Sequence, residues 1–225
     1  MGDPSESITI YVPRLPPPWG AVIIGQDTMT DSDLALSIAL GIGLAAATGF
    51  RVFLPMLITS AAAYSGHLPL GENFAWLGTA PALAMLSVAA VVEILAYYIP
   101  GVDNLLDTLA TPAAFVAGTI VSAAVMTDVS PMLKWTTAII AGGGIAGVTQ
   151  GVTALLRAKS TMFTAGVANP VVATAELGGS LLVSLLALAA PVIAVVVVAV
   201  FLWFAVRLIR KIARHARPAK TEAGG

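Results

Sequence analysis

Apolar residues in this chain come in long runs, not in short periodic stretches: 34–63, 80–99, 113–126, 133–156 and 170–206. A hydrocarbon core roughly 30 Å thick needs about 20 such residues per helix. The runs therefore predict spanning helices. The strict apolar/polar alternation of a membrane barrel strand is absent, for example, over 191–206, which argues against an outer-membrane barrel. The predicted fold is all-α: a polytopic transmembrane helical protein of about six crossings with broken or re-entrant segments.

The interruptions are as informative as the runs. The first run overshoots a straight crossing and carries Thr48-Gly-Phe-Arg-Val-Phe-Leu-Pro55 near its middle, so it is long and tilted, or broken there. The segment Val102-Asp-Asn-Leu-Leu-Asp-Thr-Leu-Ala-Thr-Pro112 has helical spacing but is short and polar, as in an interfacial or re-entrant helix. The last run is split by Pro191 into 171–189 and 192–207. Gly142, Gly143, Gly144, Gly147 and Gly151 fall within 133–156, and no strand precedes them, so they form a helix-packing face and not a phosphate loop.

Before the first run, residues 1–33 read as a disordered or non-native N-terminal tail, because prolines interrupt each of its apolar stretches. Ser32 and Asp33 are helix caps, and translation starting at Met29 would fit. The domain covers 34–209, followed by a basic cytoplasmic tail over 210–225.

Composition agrees: 58% of residues are hydrophobic and 10% charged, with mean hydropathy +0.92, against about 25% charged in a soluble domain. No cysteine is present, which excludes disulfides, thiolate metal sites and cysteine nucleophiles. A net charge of -1 excludes a nucleic-acid partner for the chain as a whole. His67 and His215 lack metal-site spacing, and no nucleotide or metalloprotease motif appears, so no metal or cofactor is predicted.

Charge placement sets orientation. Arg207, Arg210, Lys211, Arg214, Arg217 and Lys220 follow the last run and place the C-terminus in the cytoplasm, against anionic lipid head groups. Six crossings then put the N-terminus inside as well, with Arg157 and Lys159 inside and the His67/Glu72 connection outside. The expected location is a bacterial inner (plasma) membrane, multi-pass, in a protein compatible with a homo-oligomer.

Ionisable residues at bilayer depth are expensive and face an interior or a cavity. Arg51, Glu93 and Glu176 are such residues. Arg51 is either an anion or substrate contact, or one half of a structural pair with Glu93 or Glu176. Glu93 is a proton carrier if unpaired, or the counter-charge of Arg51. Asp103 and Asp107 are four apart on one helical face, where they hold a cation or act as ordinary interfacial acids, with Asp103 capping the helix after Gly101. Asn169-Pro170 with Glu176 echoes Arg51 with Pro55, the form of a weak internal repeat in which transporter sites are found.

Three segments carry a family resemblance. Gly49-Phe-Arg51, Ile99-Pro-Gly-Val-Asp103-Asn-Leu-Leu-Asp107-Thr-Leu-Ala-Thr-Pro112, and Gly166-Val-Ala-Asn-Pro170 with Glu176 resemble the uncharacterised bacterial integral membrane family DUF4126 over about 34–209. The resemblance implies a fold and no activity. The leading functional expectation is a small transporter or channel whose polar interior is formed by Arg51, Glu93, Asp103, Asp107, Asn169 and Glu176. A non-catalytic scaffold or assembly subunit is the alternative, and a lipid-head-group-modifying enzyme using Asp103 and Asp107 with a divalent cation is the third.

Overall fold

The computed structural model describes residues 30–215, apart from Pro100 and Asp128. Most of the expected N-terminal tail and the end of the basic tail lie outside the described residues. Among the described residues eight α-helices follow in order: α1 (Asp31–Thr48), α2 (Phe53–Tyr64), α3 (Ala80–Ala96), α4 (Val102–Val125), α5 (Pro131–Thr137), α6 (Gly144–Thr164), α7 (Asn169–Ala189) and α8 (Pro191–His215). A 3-10 helix (Glu72–Gly78) precedes α3, and a π-helical stretch (Ala138–Gly143) joins α5 to α6. No strand occurs among the described residues.

The expected cap moves by two residues. Thr30 is the N-cap of α1 and forms a reciprocal capping box with Asp33, whose carboxylate accepts the Thr30 N–H at 3.2 Å.

The first apolar run is broken, not tilted. α1 stops at Gly49, where a Cβ would lie 2.5 Å from the Ala146 carbonyl oxygen, so only glycine allows α6 this close. Pro55 sits in the first turn of α2, where its missing N–H costs no helical bond. The stop lies at mid-depth of the bundle. The Thr48 hydroxyl is 3.5 Å from the Ala114 carbonyl, and the Ser180 hydroxyl donates to the Ala47 carbonyl at 3.1 Å. Ala114 and Ser180 are central residues of α4 and α7.

After the break the chain turns back. The first N–H groups of α2 meet Glu93 near the far end of α3, whereas Ala63 near its last turn faces Gly78 just before α3 begins. Farther along, the Gly71 N–H donates at 2.9 Å to the carbonyl of Ala124, at the end of α4 that also meets Gly41 of α1 through Ser122 and Met126. α1 and α2 therefore form a helical hairpin that enters and leaves at one end of the bundle, with residues 48–53 as its tip.

α3 rises beside the hairpin after a bend of 66° from the 3-10 helix. The segment 102–112, expected as a separate interfacial helix, is continuous with the run after it: α4 is one helix of 24 residues with Pro112 inside. Neighbouring helices tolerate a proline in this setting because they pack around the freed backbone groups. The π-helical stretch presses Gly142 and Gly143 onto α4, where a Cβ at Gly142 would be 2.6 Å from the Ser122 Cβ. Gly144 and Gly151, by contrast, face open space, so the glycine-rich stretch supplies close contact at only part of its length.

α1 is the centre of the structure. Ala45, Ala46 and Ala47 are fully buried among α4, α6, α7 and α8, and small side chains permit this because dispersion between closely spaced backbones replaces the hydrophobic drive that lipid removes. The outer surface is apolar, with Met85, Val88, Val92, Leu182, Val196 and Phe204 exposed. Among the described residues four helices are long and apolar enough to cross a membrane, or five if the 3-10 helix and α3 form one span.

α8 runs parallel to α1, with Ala194 against Gly43 and the rings of Phe50 and Phe201 5.0 Å apart. Its C-terminal part thus lies beyond the hairpin tip, at the end opposite Asp31. Asp31 and the last turns of α8 therefore lie at opposite ends of the bundle.

Candidate functional site

The hairpin tip leaves backbone groups that must find partners inside the bundle, since lipid offers none. Glu93 supplies them. Its two carboxylate oxygens accept the N–H groups of Val52 at 2.7 Å and Phe53 at 3.0 Å, capping α2 from α3. Glu93 is thus committed to the broken helix and is not the hydrogen-bonded partner of Arg51.

Arg51, 1% exposed, points from the tip toward α7. Its Nη2 donates to the Ala173 carbonyl at 2.9 Å and lies 3.6 Å from Glu176 Oε2. Of the two expected carboxylates, Glu176 is the one that forms the salt bridge. The same oxygen accepts a hydrogen bond from Arg157 of α6, whose Nε also lies 3.5 Å from Asp107 on α4. Both guanidinium groups lie against the ring of Tyr97, 3.9 Å away for Arg51 and 4.2 Å for Arg157, a cation–π arrangement favoured where water is excluded.

Arg157 and Tyr97 were absent from the sequence-derived set. Arg157 read as a marker of the loop after 133–156, yet α6 continues to Thr164 and buries it to 1% exposure. The signal was available: Ala146, Thr149, Thr153, Arg157 and Thr161 recur at spacings of three and four, a small and polar stripe on one helical face.

Asp103 and Asp107 lie on one face of α4 as expected, but they are spent separately. Asp103 accepts the Gly101 N–H at 2.9 Å and the Asn169 amide at 2.7 Å. Asn169 also donates to Thr161 at 2.9 Å. Asp107 faces Arg157. No group of three or more His, Cys, Asp or Glu that could hold a metal is found among the described residues.

The structure brings the six expected residues together with Arg157 and Tyr97 in one polar region, spread from the hairpin tip to the end of the bundle where α3, α4, α6 and α7 turn. The echo between Arg51 with Pro55 and Asn169 with Pro170 is not a structural repeat. The first is a break at mid-depth, the second the start of α7 at the bundle end. They meet because Arg51 reaches across to Ala173 and Glu176.

Some polar capacity stays unspent. Arg51 Nε and Nη1, Arg157 Nη1, Glu176 Oε1 and Asn169 Oδ1 are buried with no hydrogen-bond partner. Two cavities adjoin the site through Tyr97. One is a groove of about 720 Å³ between α3 and α4, apolar except at Glu93 and Tyr97. The other is a polar pocket of about 100 Å³ between the α3–α4 and α6–α7 turns.

Apolar helices long enough to span and a buried charge network mark a multi-pass integral membrane protein. A family model described as Domain of unknown function (DUF4126) matches residues 38–211. The chain belongs to the DUF4126 family. No curated protein and no solved structure matches it.

Proposed function

We propose that the protein is a small transporter or channel of the plasma (inner) membrane, held closed in this arrangement, with its polar path running from the α3–α4 and α6–α7 turns to the hairpin tip. The observation that carries this reading is the placement of Arg51 and Arg157. Both guanidinium groups are buried near a helix break, and each retains N–H groups without partners. Buried unpaired donors are costly, and discontinuous helices with free polar groups are where carriers bind ions or small polar solutes. Parting Arg157 from Glu176 would open the path.

In this reading the basic end of α8 lies on the cytoplasmic side against anionic lipids, and the site opens toward that side. Asp31, Glu72 and His67 then face the opposite side, free of the basic clusters.

The scaffold reading retains one specific support. Glu93, Asp103, Asp107 and Glu176 all have partners, as expected of a network that only holds helices together. The purified protein reconstituted in proteoliposomes, with potential-driven flux followed by ion-sensitive dyes, separates the two. Transport requires flux above protein-free vesicles that Arg51→Ala and Glu176→Gln abolish. Flux that is absent, or indifferent to both substitutions, leaves the scaffold.

A further inference from the structure

The apolar groove between α3 and α4 has no part in the polar network. α3 packs chiefly on α2 and only sparsely on α4, so a trough of about 720 Å³ stays open between them. Val52 at the hairpin tip and Ala110 of α4 line it and are only 5% and 7% exposed, which makes them its floor. Met85, Val88 and Leu109 stand along its rim, 72%, 65% and 59% exposed. Its two polar side chains are already engaged. Glu93 accepts the N–H groups of Val52 and Phe53, and Tyr97 is hydrogen-bonded to Asp107. A void lined this way stays dry, and left empty it forfeits the dispersion contacts of every atom that faces it.

The shape of the trough decides what fills it. From Ala84 to Ala96 it follows α3 for about 18 Å at 1.5 Å per residue. Spread over that length, 720 Å³ gives a mean cross-section of roughly 40 Å². A helix about 10 Å across needs roughly 80 Å², so a helix from a second copy of this chain does not fit. Alkyl carbons pack at about 4 Å, so one extended hydrocarbon chain takes less than roughly 20 Å² and two lie side by side. The length also matches, because one leaflet contributes about 15 Å of the hydrocarbon core. Finally, the rim runs without interruption into the outer face of α3, where Val91 and Leu95 are exposed to hydrocarbon. Whatever enters the trough comes from that surface.

We propose that the trough is a lipid site that holds the acyl chains of one phospholipid, from the leaflet at the α3–α4 turn, against the hairpin tip. The site needs only the membrane setting and stands with or without transport. The chains cover Val52, so their loss should loosen the turn that Glu93 caps.

Photolabelling of the full chain tests it. The protein is reconstituted in dioleoyl phosphatidylcholine vesicles doped with a phosphatidylcholine that carries a diazirine within one acyl chain, irradiated, and mapped by peptide mass spectrometry. Adducts on Val52 or Ala110 are expected, because lipid at the outer surface does not reach the floor. Adducts confined to outward residues such as Leu182 and Val196 overturn the inference. Native mass spectrometry of the detergent-purified protein should show one phospholipid retained per chain after the others are washed away. Ala89→Phe with Ala113→Phe fills the trough and should cut that retention fivefold or more, whereas Ala199→Phe, exposed on α8, should leave it unchanged. Adding phosphatidylcholine back to delipidated protein should raise the melting temperature of the wild type and not of the filled variant. Equal retention by the folded filled variant overturns the site. So does disulfide formation between Val88→Cys residues of two copies with the floor unlabelled, which would seat a second copy there. If the filled variant misfolds, the floor adducts of the wild type decide.

Discussion

The carboxylate of Glu93 on α3 closes both leading N–H groups of α2, at 2.7 Å to Val52 and 3.0 Å to Phe53, at the point where the first apolar run turns back. A membrane interior has no water to take over those bonds. Glu93→Ala should therefore cost about 2–6 kcal/mol of stability, since each of the two orphaned N–H groups is worth about 1–3 kcal/mol. Glu93→Gln, which keeps one acceptor oxygen, should cost less. Unfolding in mixed micelles ranks the variants, and an alanine variant as stable as the wild type would exclude the capping role.

Arg157 and Glu176 form a buried salt bridge. Removing either alone strands a buried charge and should destabilise by about 3–5 kcal/mol. Arg157→Met with Glu176→Leu should cost clearly less than the sum of the single changes, because the pair is replaced by packing. Additive losses in this double-mutant cycle would show that the two side chains do not act on each other.

Topology is open to direct labelling, because the chain has no cysteine to interfere. Single cysteines at Ser32 and His67 should react with an impermeant maleimide from one side, and cysteines at Lys159 and Lys211 from the other. Labelling of Ser32→Cys and Lys211→Cys from the same side would mean that the first run passes through the membrane after all.

Gly49 and Gly142 lie where other helices press on the backbone. Gly49→Val or Gly142→Val should destabilise by about 1–3 kcal/mol through overpacking. Gly151→Val, with nothing within 4 Å of its Cβ position, is the internal control and should be tolerated.

The apolar runs made the helices legible because composition alone decides whether a segment can lie in lipid. Where each helix goes is a different question. The return of α2 depends on bonds between residues 40 or 41 apart, and the reach of Arg51 to Ala173 spans 122 positions, distances that no local pattern encodes. The segment 102–112 looked interfacial because Asp103 and Asp107 make it polar, yet those carboxylates face Asn169 and Arg157 inside the protein. Tyr97 had no signal at all: an aromatic near the end of a span is ordinary, and its role comes from the two arginines laid against its ring and its hydrogen bond to Asp107.

Synthesis runs from the N-terminus, so the hairpin leaves the ribosome before anything that can complete it. The carboxylate that caps its tip follows 41 residues after Val52, and the hydroxyl that binds the Ala47 carbonyl follows 133 residues later. Until α3 and α7 arrive, the turn at 48–53 has no place in hydrocarbon. The helix α1 is consequently among the last to settle, and a ribosome-bound chain halted before Glu93 should leave the hairpin tip accessible to water-soluble reagents.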